Sequence, residues 1–80
     1  MNSEIGMERI ESFCVNPAGI GFFKAILESY EDVAIMTVID GKSGRIDLLY
    51  PVFFEETLKG IMADMGRYGI HFREVPDVRR

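Results

Sequence analysis

Cys14 and His71 are each the single residue of their type in the eighty-residue chain, and they bound its soft-metal and nucleophilic chemistry. A zinc site needs three or four nitrogen or sulfur ligands, which one Cys and one His cannot supply, so no metal is expected. Asp40, Asp47, Glu55, Glu56 and Asp64 provide carboxylates. None of them lies in an apolar stretch that would hold one member of a pair protonated for acid catalysis. Ser3, Ser12, Ser29 and Ser43 share one His as their only imidazole base and carry no nucleophile signature. Gly19 and Gly21 form a Gly-x-Gly pair without the third glycine of a dinucleotide fingerprint. These residues predict a non-enzymatic protein with no catalytic residues and no cofactor. Cys14 is expected to be a small buried apolar residue, and His71 a solvent-facing edge residue.

The elements that would position these side chains follow from periodicity and punctuation. Arg9 to Val15 is β-branched and aromatic and stops at Asn16-Pro17, a pair that disfavours continued strand. Asn16 is suited to cap a helix with Pro17 in its first turn. Ile20, Phe23, Leu27 and Tyr30 recur at helical spacing, with Phe22 and Ile26 widening the stripe. Val33 to Ile39 is a continuous β-branched run that reads as a strand, and Asp40-Gly41-Lys42-Ser43-Gly44 as a hairpin turn. Arg45 to Tyr50 alternates, placing Ile46, Leu48 and Tyr50 on one side. Phe54, Leu58, Ile61, Met62, Met65 and Tyr68 mark a second helix, with Glu55 and Glu56 at its positive end and Gly69 at its stop. Ile70 to Val75 supplies a last short strand.

The order strand, helix, strand, strand, helix, strand predicts an α+β domain of the ferredoxin-like βαββαβ kind. Both helices must then bury their stripes on one face of a four-stranded antiparallel sheet. The first and third strands should be central, the second and fourth at the edges. Phe23, Leu27, Leu58, Ile61 and Met65 are expected to pack on Ile35, Ile46 and Leu48. Residues 1–80 read as one domain, with 1–8 and 76–80 as flexible ends. The edge strand Val33 to Ile39 carries no charge, proline or bulge signal to protect it, and the face without helices would leave apolar residues in water. Ala34, Met36, Val38 and Leu49 are therefore expected to form the interface of a two-fold homodimer. The alternative is cover within one chain by Pro76 to Arg80 or by the residues before Glu8.

Thirteen acids against nine bases give a net charge of −4, which opposes a default role on phosphate backbones. RNA binding on an open sheet would need exposed aromatics on the central strands, for which Phe13 and Tyr50 are the candidates. Nucleic acid is thus the third reading. One Cys suits the cytoplasm. Met1 to Glu8 carry two acids and no long apolar run, predicting neither signal peptide nor anchor, and no membrane partner is expected.

The turn Val15-Asn16-Pro17-Ala18-Gly19-Ile20 resembles the Asp-x-Pro-Gly-x turn that opens the first helix of ACT domains, with Asn16 in place of the acid and Ala18 inserted before Gly19. That resemblance implies a regulatory module binding a small metabolite such as an amino acid at a subunit interface, with Asn16, Gly19 and Ile20 contacting it. The chain also looks like an uncharacterised family of short bacterial proteins. The residues that carry this likeness are Asn16-Pro17, Ile26 through Glu31, Thr37-Val38-Ile39-Asp40 and Phe53-Phe54-Glu55-Glu56, within a span of 13–75. It implies a fold and no activity. The expected function is a dimeric binding or regulatory module, against a structural or protein-interaction subunit with no small ligand.

Overall fold

The computed structural model describes residues 8–31 and 33–76. Strand β1 (Glu8–Val15) ends where Asn16-Pro17 interrupts pairing, and a short 3-10 turn (Pro17–Gly19) leads into helix α1 (Ile20–Glu28). Strands β2 (Ile35–Asp40) and β3 (Arg45–Pro51) form a hairpin. Helix α2 (Glu55–Met65) follows a 3-10 turn at Val52–Phe54, and strand β4 (Phe72–Glu74) closes the described chain. The flexible ends inferred at 1–8 and 76–80 lie outside the described residues except for Glu8, which opens β1, and Pro76. Chain cover by those ends lies outside them too.

The sheet order is β2-β3-β1-β4 with every neighbouring pair antiparallel. The layout is ferredoxin-like, with β1 and β3 central. Residues directly opposite in an antiparallel pair share a face, so the register sorts the sheet into two sides. Phe13 stands opposite Ile46, Glu11 opposite Leu48 and Arg9 opposite Tyr50. This side is buried: Ile46, Leu48 and Tyr50 are fully enclosed, and Phe13 and Val15 nearly so. They form one core with Phe23 and Leu27 of α1 and Leu58, Ile61, Met62 and Met65 of α2. Both helices therefore cover the same face.

Four local expectations are corrected. Ile35 is 64% exposed and stands opposite Leu49, so it belongs to the open face and adds nothing to the core. Strand β2 begins two residues later than its apolar run, because Val33 turns into the core at 4% exposure. The run also breaks register between Val38 and Asp40, so the edge strand does carry an irregularity at Ile39. In α1 the buried stripe is narrow. Phe22 and Tyr30 are exposed, the latter beyond the helix end, and Phe22 packs edge-on against Tyr68 at 5.1 Å.

Two glycines hold the connections. Gly44 has φ +84°, and a Cβ there would lie 1.8 Å from the Val15 carbonyl oxygen, so nothing larger fits. Its own carbonyl accepts from the Val15 N–H at 2.9 Å, tying the hairpin to the end of β1. Gly69, at φ +79°, terminates the 3-10 extension of α2 as its left-handed cap. Ile70 then enters the core, and β4 is limited to three residues. No helix among the described residues is long and apolar enough to cross a membrane.

Candidate functional site

At the end of β1, the turn Asn16–Gly19, the hairpin loop and the approach to β4 converge. Asn16 occupies the capping position, but its side chain makes no cap bond. Its Oδ1 instead accepts the backbone N–H of His71 at 2.8 Å, and its backbone carbonyl accepts from Gly19 at 2.8 Å. The expected cap is thus a clasp between the first turn and the last strand. Gly19 is buried, and a Cβ on it would approach Ile70 Cγ1 to 2.7 Å. Packing against Ile70 accounts for this glycine without a ligand. Ile20 is half-buried against the core. Asn16, Gly19 and Ile20 lie together in this turn, with Asn16 bonded to His71, Gly19 against Ile70 and Ile20 against the core.

A shallow depression of about 290 Å³ opens beside this clasp, lined by Cys14, Asn16, Ser43, His71 and Arg73 among others. The imidazole of His71 lies toward Gly66, whose added Cβ would meet its Cε1 at 3.6 Å. Cys14 is half-buried on the open face, where it differs from the expected core residue. It stands opposite Arg45 on β3 and opposite Arg73 on β4, so an arginine flanks it on each side.

The other end of the open face is apolar. Ile35, Leu49 and Ile10 lie in one row across β2, β3 and β1, with Ile35 at 64% and Ile10 at 60% exposure. Ala34, Ile35 and Leu49 also line a depression of about 230 Å³ with Pro51. The interface set inferred from sequence is therefore split. Ala34 and Leu49 come together there, whereas Met36 and Val38 stand opposite Leu48 and Ile46 on the helix-covered side. A continuous apolar run has no alternation from which to read its faces, and a shift of one residue exchanges them. Ile10 and Ile35, which the sequence reading did not assign to this face, complete its apolar row.

Between the two ends, the Ser12 hydroxyl donates to Asp47 Oδ1 at 2.7 Å. Phe13 and Tyr50, the aromatic candidates for base stacking, point into the core instead. The Tyr50 hydroxyl donates to Glu11 Oε1 at 2.8 Å. Burial, that hydrogen bond and the negative charge of Glu11 and Glu55 push its pKa up to about 12. A phenol held neutral in this way is a structural member of the core, not an acid or base for neutral pH. Among the described residues no group of three or more His, Cys, Asp or Glu side chains is placed to hold a metal ion.

A model for a domain of unknown function, DUF4911, matches residues 13–68. The chain belongs to this family. The match runs from the end of β1 through α2 and stops before β4, so it spans the Asn16 turn, the hairpin and Leu49 but omits His71 and Arg73. No curated protein matches the chain, and no solved structure does.

Proposed function

We propose that this DUF4911 chain is a small, non-enzymatic binding module of the cytoplasm that works as a homodimer. The observation that supports this reading most directly is the apolar row on the face without helices, where exposed Ile10 and Ile35 flank half-buried Leu49. It adjoins β2, whose outer edge has no strand partner among the described residues. Apolar side chains in a contiguous row and unpaired backbone groups at the same margin both favour association. A second copy supplies an identical row and an identical edge, which closed two-fold symmetry brings together. Small-metabolite sensing at such an interface, by analogy with ACT domains, is part of the same proposal. The reading of a structural subunit without small ligand draws support from Gly19, which Ile70 packing explains.

Sedimentation equilibrium tests the association. Wild type at micromolar concentration is expected to run as a dimer, and Leu49→Lys as a folded monomer. A monomeric wild type refutes the proposal. Calorimetric titration of the dimer with free amino acids then separates sensing from the structural reading, which predicts no heat from any of them.

A further inference from the structure

The charges of the described residues are unevenly compensated. Arg9, Lys24, Lys59 and Arg67 each lie within 4.0 Å of a carboxylate, at 3.1, 2.7, 3.7 and 3.1 Å. Lys42, Arg45 and Arg73 have no such partner among the described residues, and all three belong to one corner of a chain whose net charge is −4. The two arginines flank Cys14 on the same face of the sheet. Neighbouring strands are about 4.8 Å apart, so their α-carbons are about 10 Å apart, a span that two guanidinium side chains close upon one anion. Lys42 stands in the turn that leads into Arg45. The two nearby acids form no ion pair here: Asp40, which stands opposite Arg45, accepts the backbone N–H of Lys42 at 3.1 Å through Oδ1, and Asp47 accepts from the Ser12 hydroxyl. The Nε of Arg45 is buried with no hydrogen-bond partner, a donor whose cost is removed when its guanidinium turns to meet an acceptor. The depression lined by Cys14, Ser43 and Arg73 adjoins this row on the Arg73 side.

We propose that this corner binds the phosphate group of a small phosphomonoester. Two guanidinium forks and an ammonium offer more donors than one carboxylate accepts, whereas a phosphate dianion presents three free oxygens to them. The site lies within a single chain and at the end of the face away from the Ile10 row, so it does not depend on dimer formation. A nucleic-acid backbone shares the phosphate chemistry, but the acidic remainder of the protein opposes it.

Amide NMR titrations of the full chain with inorganic phosphate, glycerol phosphate and a short oligouridine test the site. Saturable shifts at Cys14, Arg45 and Arg73 with both phosphate probes are expected. Arg45→Gln and Arg73→Gln should each weaken them about tenfold or more, the scale of one charge-assisted contact, while Arg67→Gln leaves them unchanged. Arg45→Lys, which keeps the charge and loses the fork, should fall between. Absence of saturable shifts overturns the proposal, as does wild-type affinity in either glutamine variant. Tighter binding of oligouridine than of glycerol phosphate at matched salt overturns it in favour of backbone recognition. Sedimentation of the same variants reads dimerisation separately.

Discussion

The two faces of the sheet are made from the same strands and have opposite fates. On the helix-covered side, Ile46, Leu48 and Tyr50 are fully enclosed. On the open side, their immediate neighbours Arg45, Asp47 and Leu49 alternate cation, anion and apolar group within one strand, and all are half-buried. On the first face the residues of β3 are uniformly enclosed and exclude water. The second is zoned, with an apolar row at one end, a Ser12–Asp47 hydrogen bond in the middle and two arginines at the other. A difference of that kind places the core on one face and, under the proposal above, recognition on the other.

The connection on which both faces depend should show the largest effect. Gly44→Ala places a Cβ against the Val15 carbonyl and a side chain at positive φ, so loss of the cooperative unfolding transition is expected by circular dichroism. Next comes the contrast between faces. Leu58 is fully enclosed, and Leu58→Ala should cost about 2 to 5 kcal/mol in urea denaturation. Ile10→Ala, measured in dilute solution where one chain stands alone, should stay within about 0.5 kcal/mol. Equal costs would erase the division of labour.

The alkaline limit of stability sharpens the account of the covered face. Tyr50 titrates at about 12 in the folded chain, from an ordinary value of 10.0. A raised pKa means that the folded state holds the proton more tightly, so the stabilisation is complete below pH 10 and is lost as pH rises toward 12. The two-unit difference corresponds to about 3 kcal/mol at most. Tyr50→Phe should abolish that pH-dependent fall, and persistence of the fall in the variant would assign it to another group. The smallest effect is expected at the clasp. Asn16→Ala removes one acceptor from the exposed His71 N–H and should cost about 0.5 to 1.5 kcal/mol.

Local patterns in the sequence carried the layers of the fold further than its sites. Alternation at Ile46, Leu48 and Tyr50 disclosed the buried side of β3, and the left-handed stop at Gly69 was legible from residue type. The run Val33 to Ile39 has no alternation, so only pairing with β3 decides that Met36 faces inward and Ile35 outward. Asn16 before Pro17 carries the signature of a cap, and its actual partner lies fifty-five residues away. A side chain on Gly19 would collide with Ile70, a residue almost as far along the chain. The flanking of Cys14 by Arg45 and Arg73 needs the register of β1 with two strands at once. No single stretch of sequence contains that information.

Methyl NMR with a soluble paramagnetic probe compares the two faces in one experiment. If the open face is the association surface, the methyls of Ile10, Ile35 and Leu49 are shielded from the probe at high protein concentration and become accessible on dilution, while those of Ile46 and Leu48 stay shielded throughout. Ile10 and Ile35 methyls equally accessible at every concentration would contradict the account.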